Sequence, residues 1–486
     1  MNNKIYIVII LFFSLGFLAC DDELNDLQPF TEGSPQTFFN TPETFQIGVD
    51  GVYRQLWLYY SNPDSGLQGI PDIISDNVIQ AQTGRNSNDD YHDLRYVAST
   101  LGAIPLYYSE AYEAINGANL IIGQIDNIDG ESQQDNILGQ ALAARAWAHF
   151  DLARIYGPIP TQSSDANSAL GVTYIKVEDG DSGDPYAQPA RETIASNYLE
   201  IIDDLERAAL LIDKDNIEGR LNKNGVYALL SRVYLYNGEY QKSIDAANKV
   251  TAGLATASEL PDVYTDVTNA GVIIELSINT SSEARGNSVG VLYSQSSRGI
   301  TTSEYVLDFD FFNSIDANDA RKDVLQFVGT NKGNDYNAIK KFLGEPGQVN
   351  GKVDVKVLRA AEVLLNKAEA QFELGQEGAA LTTLNLLRQE RYSSFVAGTE
   401  TGTALEDAIQ FERRVELACE GHRFFDIKRR GESIERNPTR GDLIDGTGTT
   451  PVAPILAAGD FRFQFPIPTA EINANPTVAG QQNPGY

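Results

Sequence analysis

Histidine occurs three times in 486 residues, at His92, His149 and His422, and cysteine twice, at Cys20 and Cys419. So few ligands, so widely scattered, exclude a His-rich transition-metal centre. The HExxH, CxxC and Walker GxxxxGK patterns are absent. Their absence removes the usual signatures of zinc hydrolysis, dithiol redox chemistry and P-loop nucleotide binding. Basic residues are short as well: 37 Lys plus Arg stand against 67 Asp plus Glu, a formal charge of −30. Such a chain repels nucleic-acid phosphates. It also repels an anionic headgroup surface, so membrane attachment requires a covalent or hydrophobic anchor. The same field favours a neutral or cationic ligand over a polyanion, although a local Arg cluster reverses a field at one site.

What remains is an ordinary globular composition, 42% apolar and 21% charged. The chain is long enough for one large domain or two to three smaller ones, with a core that needs no staples. Lys4 precedes an apolar run at 5–13, extended by Leu15 and Phe17 and ending at Leu18-Ala19-Cys20. The run is too short for a comfortable membrane span and sits where a signal peptide belongs. Small residues before a cysteine at that boundary resemble a bacterial lipobox. The resemblance implies cleavage before Cys20 and acylation, palmitate included, of its thiol and new amino group. Several acyl chains anchor stably where one is marginal. The alternative is an ordinary signal peptide with an incidental cysteine. Asp21-Asp22-Glu23 resemble the surface-export signal of Bacteroidetes lipoproteins, or form a solvated tether. The expected organisation is a signal peptide at 1–19, a lipid-anchored tether at 20–41 and a single binding domain at 42–486.

Within that domain the apolar spacing is helical. Thr41-Pro42-Glu43-Thr44 is a helix start, and Phe45, Val49, Val52, Tyr53 and Leu56 continue it over 42–60. Further helices are expected at 106–125, at 135–156 with a stop at Gly157-Pro158, and at 190–212. Residues 223–236 and 240–250, joined by Asn237-Gly238, form a helical hairpin. Residues 363–374 and 379–391, joined at Gly375, repeat the plan. Both resemble tetratricopeptide repeats, but they lie far apart in sequence, so no continuous solenoid is expected. The alternation in 272–278 reads as a short strand. Residues 61–104, 161–190 and 279–352 read as loops, and loops this long are uncommon unless functional or disordered. The fold class is therefore mainly α: a helical scaffold with few short strands and long ligand-binding loops.

Several polar features have structural explanations. Cys419, in an apparently helical segment, reads as a small buried residue, and His149 as a core or helix-face residue. The run from Glu178 to Asp184 is rich in oxygen ligands, but its glycines miss the EF-hand positions. That run, Asp308-Phe309-Asp310 and the acids at 316–319 read as solvated loops before calcium sites. Carboxylate pairs of glycosidase type are set by the fold and are not legible from spacing.

Motifs in a fixed order tie these elements together. Tyr112-Glu113-Ala114-Ile115-Asn116-Gly117-Ala118-Asn119 is followed by Ala144-Arg145-Ala146-Trp147 and Leu152-Ala153-Arg154-Ile155-Tyr156-Gly157-Pro158-Ile159-Pro160. Then come Arg191-Glu192-Thr193, Glu412-Arg413-Arg414-Val415-Glu416-Leu417, Glu420-Gly421-His422-Arg423-Phe424-Phe425-Asp426, Pro466-Ile467-Pro468 and Asn483-Pro484-Gly485-Tyr486. With the lipobox, this set resembles the SusD/RagB family of Bacteroidetes outer-membrane lipoproteins from end to end. Glu412, Glu416 and Glu420 stand at helical spacing, with Arg413, Arg414 and Arg423 available to neutralise them. The terminal Asn-Pro-Gly-Tyr is expected to pin the C-terminus.

The resemblance implies a non-catalytic lid, lipid-anchored on the cell surface at the outer membrane. It would bind an oligosaccharide and deliver it to a SusC-like TonB-dependent transporter, with no cofactor, no metal and no nucleic acid. A peptide is the alternative ligand; a surface glycoside hydrolase using loop carboxylates, or a protein-only scaffold, are the alternative functions. Sugar binding generally uses aromatic faces and hydrogen-bonding Asp, Asn and Arg. The candidate ligand contacts are Tyr59 and Tyr60 at the end of the first helix, Asp76, Asn77, Tyr91 and Arg95 in the first long loop, Tyr107 and Tyr108 before the Tyr112 motif, and Tyr293 and Arg298 in the later loop. Trp57 reads as core rather than site.

Overall fold

A computed structural model describes residues 35–62, 65–82, 84, 87–177, 188–213, 215–216, 219–278, 292, 303–344 and 351–486. Cys20, the acidic run at 178–184, Tyr293 and Arg298 lie outside the described residues.

Helix α1, Pro42–Tyr60, starts where the sequence says it should. Thr41 Oγ1 accepts from Thr44 N at 3.3 Å and Thr41 N donates to Thr44 Oγ1 at 3.2 Å, a reciprocal cap, with Pro42 in the first turn. Its buried face carries Phe45, Val49, Val52 and Leu56, each worth about 1.5–3 kcal/mol when fully removed from water. Phe39 also packs in this core, so the packed body begins slightly before 42, inside the expected tether.

Helices α2 (Ile70–Ile74) and α3 (Asp89–His92) interrupt the stretch read as loop. Then α4, Ala103–Ile122, and α5, Glu131–Tyr156, pack against α1, and α6, Ile194–Leu211, packs against α5. Every residue from Asn136 to Gly157 is buried. A helix buried all round loses its amphipathic signature. Here Ala141, Ala143, Ala144, Ala146, Ala148 and Ala153 let the neighbouring helices approach closely.

The buried charged residues and the histidine of α5 are satisfied in place, as burial requires, while Gln140 Oε1 has no hydrogen-bond partner among the described residues. Arg145 forks onto Asp204 of α6 (Nε to Oδ2 and Nη2 to Oδ1, both 2.8 Å) and donates to Asn119 Oδ1 of α4 at 2.8 Å. His149 faces the Arg145 carbonyl through Nδ1 at 3.0 Å and accepts from Ile175 N through Nε2 at 3.1 Å; burial and then Arg145 hold its ring neutral, well below the usual histidine range. Arg145 thus binds three helices together, and His149 ties the segment at Ile175 to α5.

The hairpins are α7 (Lys223–Asn237) with α8 (Tyr240–Ala247), and α9 (Ala360–Glu373) with α10 (Glu377–Gln389). Gly238 turns the first, at φ +75°. Distance in sequence does not separate them in space. Helix α8 packs on α9, and Arg232 forks onto Glu362 with both bonds at 2.6 Å. Residues 303–344, read as loop, hold real structure: helices Phe309–Ser314 and Ala320–Leu325 and the antiparallel pair Gln326–Asn331 with Asn334–Ile339. Asp308 and Asp319 cap those two helices rather than sitting in solvated loops. Asp308 accepts from Asp310 N and Phe311 N, and Asp319 from Arg321 N.

Helix α11, Thr403–Leu417, ends before Cys419, which is left-handed at φ +61° and fully buried. Glu420 is therefore off the helix, and the three glutamates do not share one face. Their cations also differ from those nearest in sequence. Glu412 takes Arg388 (2.8 Å) and Arg321 (2.5 Å), Glu416 takes Arg359 and Arg391 (both 2.8 Å), and Glu420 takes Arg359 (2.8 Å) and Lys341 (2.5 Å). Arg413 turns instead to Asp426, and Arg414 and Arg423 to Asp76. At the C-terminus, Asn483 donates to the Tyr156 and Phe465 carbonyls and accepts from Arg191 Nη2 at 2.8 Å, so the last turn is pinned.

Arg145→Met should lower stability by about 3–5 kcal/mol, because it strands a buried Asp204 carboxylate; the shift in a urea midpoint measures it. Glu369, forked by Arg429 at 2.5 and 2.7 Å in the short helix α12 (Arg423–Arg429), provides a pH test. Burial alone would raise its carboxyl, but Arg429 outweighs burial and brings it from 4.5 down to about 2. The stability it contributes is whole above pH 4.5 and is lost as the pH falls through about 2. Unfolding free energy measured across that window should fall more steeply in the parent than in Glu369→Gln.

Candidate functional site

The first long loop forms a surface recess of about 420 Å³, with residues 88–91 on one wall and 99–101 on the other. Local chemistry shapes both walls. Asn88 is left-handed (φ 64°) and opens α3; Leu94 is left-handed after it (φ 58°) and turns the chain back. Asparagine tolerates that conformation, whereas leucine does so only under tertiary constraint. The opposite wall is a tight turn in which Val97 N donates to Thr100 Oγ1 and Thr100 N to the Val97 carbonyl, both at 2.9 Å. Gly102 closes it at φ +88°, where a Cβ would lie 2.6 Å from Ser65 Oγ.

Tyr91 staples the walls together. Its hydroxyl donates to the Leu101 carbonyl at 2.9 Å and accepts from Ile104 N at 3.0 Å, fixing the recess to the start of α4. Arg95 crosses the rim and reaches Asp89 (3.0 Å), Asp90 (3.4 Å) and Asp93 (2.8 Å). Its side chain is 51% exposed, and Leu101 is 83% exposed. Below, His92 holds Asp93 at 2.9 Å; burial, helped by Arg436, pushes its ring down to about 4, so it is neutral at neutral pH. Arg436 is buried and donates to the carbonyls of Ile73, Ile74, Ser75 and His92. That clamp fixes the recess floor to the body of the protein. The recess thus offers carboxylate, amide, hydroxyl and guanidinium groups around one exposed aliphatic side chain, a surface suited to a polyhydroxylated ligand.

The sequence candidates divide sharply. Tyr91 lines the recess, and Arg95 pairs with the two aspartates of its helical wall. Tyr59 and Tyr60 do not project into a rim; both are buried, and both hydroxyls donate to Asp151 of α5 at 2.9 Å. Burial raises both phenols, and Trp147 Nε1 donates to Tyr60 at 3.0 Å. Trp57 is core, as read from the sequence. Asp76 is a structural anion: Arg423 forks onto it at 2.7 and 2.8 Å. Burial would raise its carboxyl, but Arg414 and Arg423 overcome that and hold it well below the usual range. Asn77 bridges Asp72 and Arg414. Tyr107 lies buried against Phe465, and Tyr108 between Tyr112 and Tyr156. These residues have no exposed face for a ligand because they close the interhelical core.

Sequence reading missed Asn88, Asp89, Asp90, Ser99, Thr100 and Leu101. Their signal was faint: a short polar stretch before the tyrosines, among many similar ones. A second acidic group also escaped notice. Asp266, Glu275 and Asp354 converge, but Lys356 Nζ lies 2.7 Å from Asp266 and 2.5 Å from Glu275, so the protein supplies its own cation there. Among the described residues, no helix is long and apolar enough to cross a membrane.

Comparison with known proteins locates the chain in a family. Residues 325–486 match the model described as SusD family, and residues 58–235 match one described as starch-binding associating with outer membrane. SusD-like protein P38 of Formosa agariphila is 23% identical, covering 89% of this chain and 92% of its own. A solved SusD superfamily protein from Bacteroides thetaiotaomicron superposes with a TM-score of 0.78 at 28% identity, over 91% of this chain and 100% of that one. Surface glycan-binding protein A from Bacteroides uniformis shares the fold, with a TM-score of 0.70 at 17% identity, over 91% and 99%. Two family matches in chain order, and a shared fold across nine-tenths of the molecule, agree with the motif series: the chain belongs to the SusD/RagB family.

Proposed function

We propose that this protein is a non-catalytic, surface-exposed lipoprotein that captures an oligosaccharide in the recess between residues 88–91 and 99–101. From there it delivers the glycan to a SusC-like TonB-dependent transporter in the outer membrane. The observation that carries this reading is the recess itself. Asn88, Asp89, Asp90, Ser99 and Thr100 place hydrogen-bonding groups around it, Leu101 gives it an apolar lip, and Tyr91 and Arg436 hold it rigid. Preorganised polar groups on a fixed scaffold favour capture because little ordering entropy is lost on binding. Arg95 engages the rim carboxylates directly, which suits them to accept from sugar hydroxyls rather than to shuttle protons. The matched family description, starch-binding associating with outer membrane, supports the glycan class and the location. Lipid attachment at Cys20 supplies the anchor that a chain with a charge of −30 needs.

Equilibrium titration against panels of oligosaccharides and peptides tests this reading. A glycan should bind, and Ser99→Trp, which fills the recess, should abolish binding with an unchanged thermal midpoint. Binding of peptides alone, or glycan binding indifferent to Ser99→Trp, contradicts the assignment. Arg95→Ala should weaken glycan binding about tenfold or more by freeing Asp89 and Asp90 from their shared partner, since misplacing a preorganised contact costs on that scale. Cys20→Ser should eliminate labelled-palmitate incorporation and leave the chain unanchored; retained label would refute acylation at this residue.

A further inference from the structure

The charge around the recess is one-sided. Asp89 and Asp90 stand on its helical wall, Asp93 follows at the end of α3, and among the described residues Arg95 is the cation that meets all three. Its Nη2, Nε and Nη1 are each directed at a carboxylate, which commits three of the five N–H donors that a guanidinium carries. Among the described residues, the neighbouring groups do not restore balance at the rim. His92 is neutral and buried. Arg436 is buried, with its donors on backbone carbonyls. Arg462, on the far side of Leu94, is forked onto Asp460 through Nε (2.9 Å) and Nη2 (2.7 Å). The whole chain contributes a background of −30.

We infer that this recess selects by charge: it takes neutral or amine-bearing sugars and rejects uronate-bearing or sulfated ones. The inference rests on the reading that the recess captures glycans. It goes further by naming the class of sugar. A carboxylate or sulfate entering the recess would approach aspartates that share a single guanidinium between three carboxylates, and would have to break Arg95 away from them to gain a partner. A neutral hydroxyl array donates to the same aspartates, and an ammonium group pairs with them. Like-charge juxtaposition is an effective way to exclude a wrong ligand, and long-range repulsion slows its arrival as well.

Two measurements test this, one without any sugar. In a Cys20→Ser background Cys419 is fully buried, so Leu101→Cys puts one reactive thiol on the recess lip. At low ionic strength it should react at least about tenfold faster with an ammonium-bearing methanethiosulfonate than with a sulfonate-bearing one, after normalising to free cysteine, and the preference should shrink as salt screens the field. Asp89→Asn with Asp90→Asn should collapse most of that preference. Equal rates, or a preference for the sulfonate reagent, overturn the inference whatever the recess binds.

The second measurement titrates hexasaccharides of one backbone in neutral, amine and uronate forms, repeated for each backbone that binds. Neutral and amine forms should bind, the uronate form at least about tenfold more weakly, and the double Asn variant should narrow the gap. Uronate binding equal to or tighter than neutral overturns charge selection and leaves glycan capture standing. Failure of every glycan overturns capture itself, and with it this inference.

Discussion

The structure is organised around a helix, α5, that has no solvent face from Asn136 to its end. Once α5 is enclosed by α1, α4 and α6, each polar atom on it needs a partner from a neighbouring element, because an unpaired buried charge costs several kcal/mol. Arg145 meets that requirement through Asp204 and Asn119, and Asp151 through Tyr59 and Tyr60. Those bonds also fix geometry. A guanidinium forked onto a carboxylate holds α5 and α6 in one register, and two tyrosines on one aspartate fix where α1 ends. The acidic and basic residues at 412–429 extend the same logic, joining segments that lie 60 or more residues apart in sequence.

Such a frame separates stability from recognition. The aromatic and charged residues at the helix junctions are occupied in holding elements together. The recess is built on a loop where three tight local devices meet: left-handed Asn88 and Leu94, the turn at 97–100, and the bridging hydroxyl of Tyr91. Arg436 then ties that loop to the body through backbone carbonyls, so the loop's attachment does not depend on the exposed side chains of Ser99 and Leu101. A binding surface made this way can change its side chains without disturbing the core.

This division explains what was legible in the sequence. Helix α1 was readable from Thr41 and the spacing of Phe45 through Leu56, and the hairpins from Gly238 and Gly375, because capping and periodicity are local. Helix α4 begins at Ala103, ahead of the expected 106, because its first turn is packed rather than patterned. The partners of Glu412, Glu416 and Glu420 were not readable. Adjacent arginines looked available, but the folded chain brings Arg321, Arg359, Arg388, Arg391 and Lys341 from elsewhere. The packing of one hairpin on the other was hidden for the same reason. Tyrosines misled the site reading because a tyrosine beside a loop has the same local sequence whether its ring faces a ligand or closes a core; burial decides, and burial is a property of the assembled fold. Tyr91 and Arg95 are the candidates that the fold leaves in the recess loop, Tyr91 bridging its walls and Arg95 paired with Asp89 and Asp90.

The most direct test of this account is a crystal structure of the protein soaked with a neutral oligosaccharide that it binds in solution. Sugar density between residues 88–91 and 99–101, with hydroxyls on Asp89 or Asp90 and no displacement of Tyr59, Tyr60 or Tyr107, is the predicted result. Density seated elsewhere, or on those tyrosines after the core has opened, would contradict it.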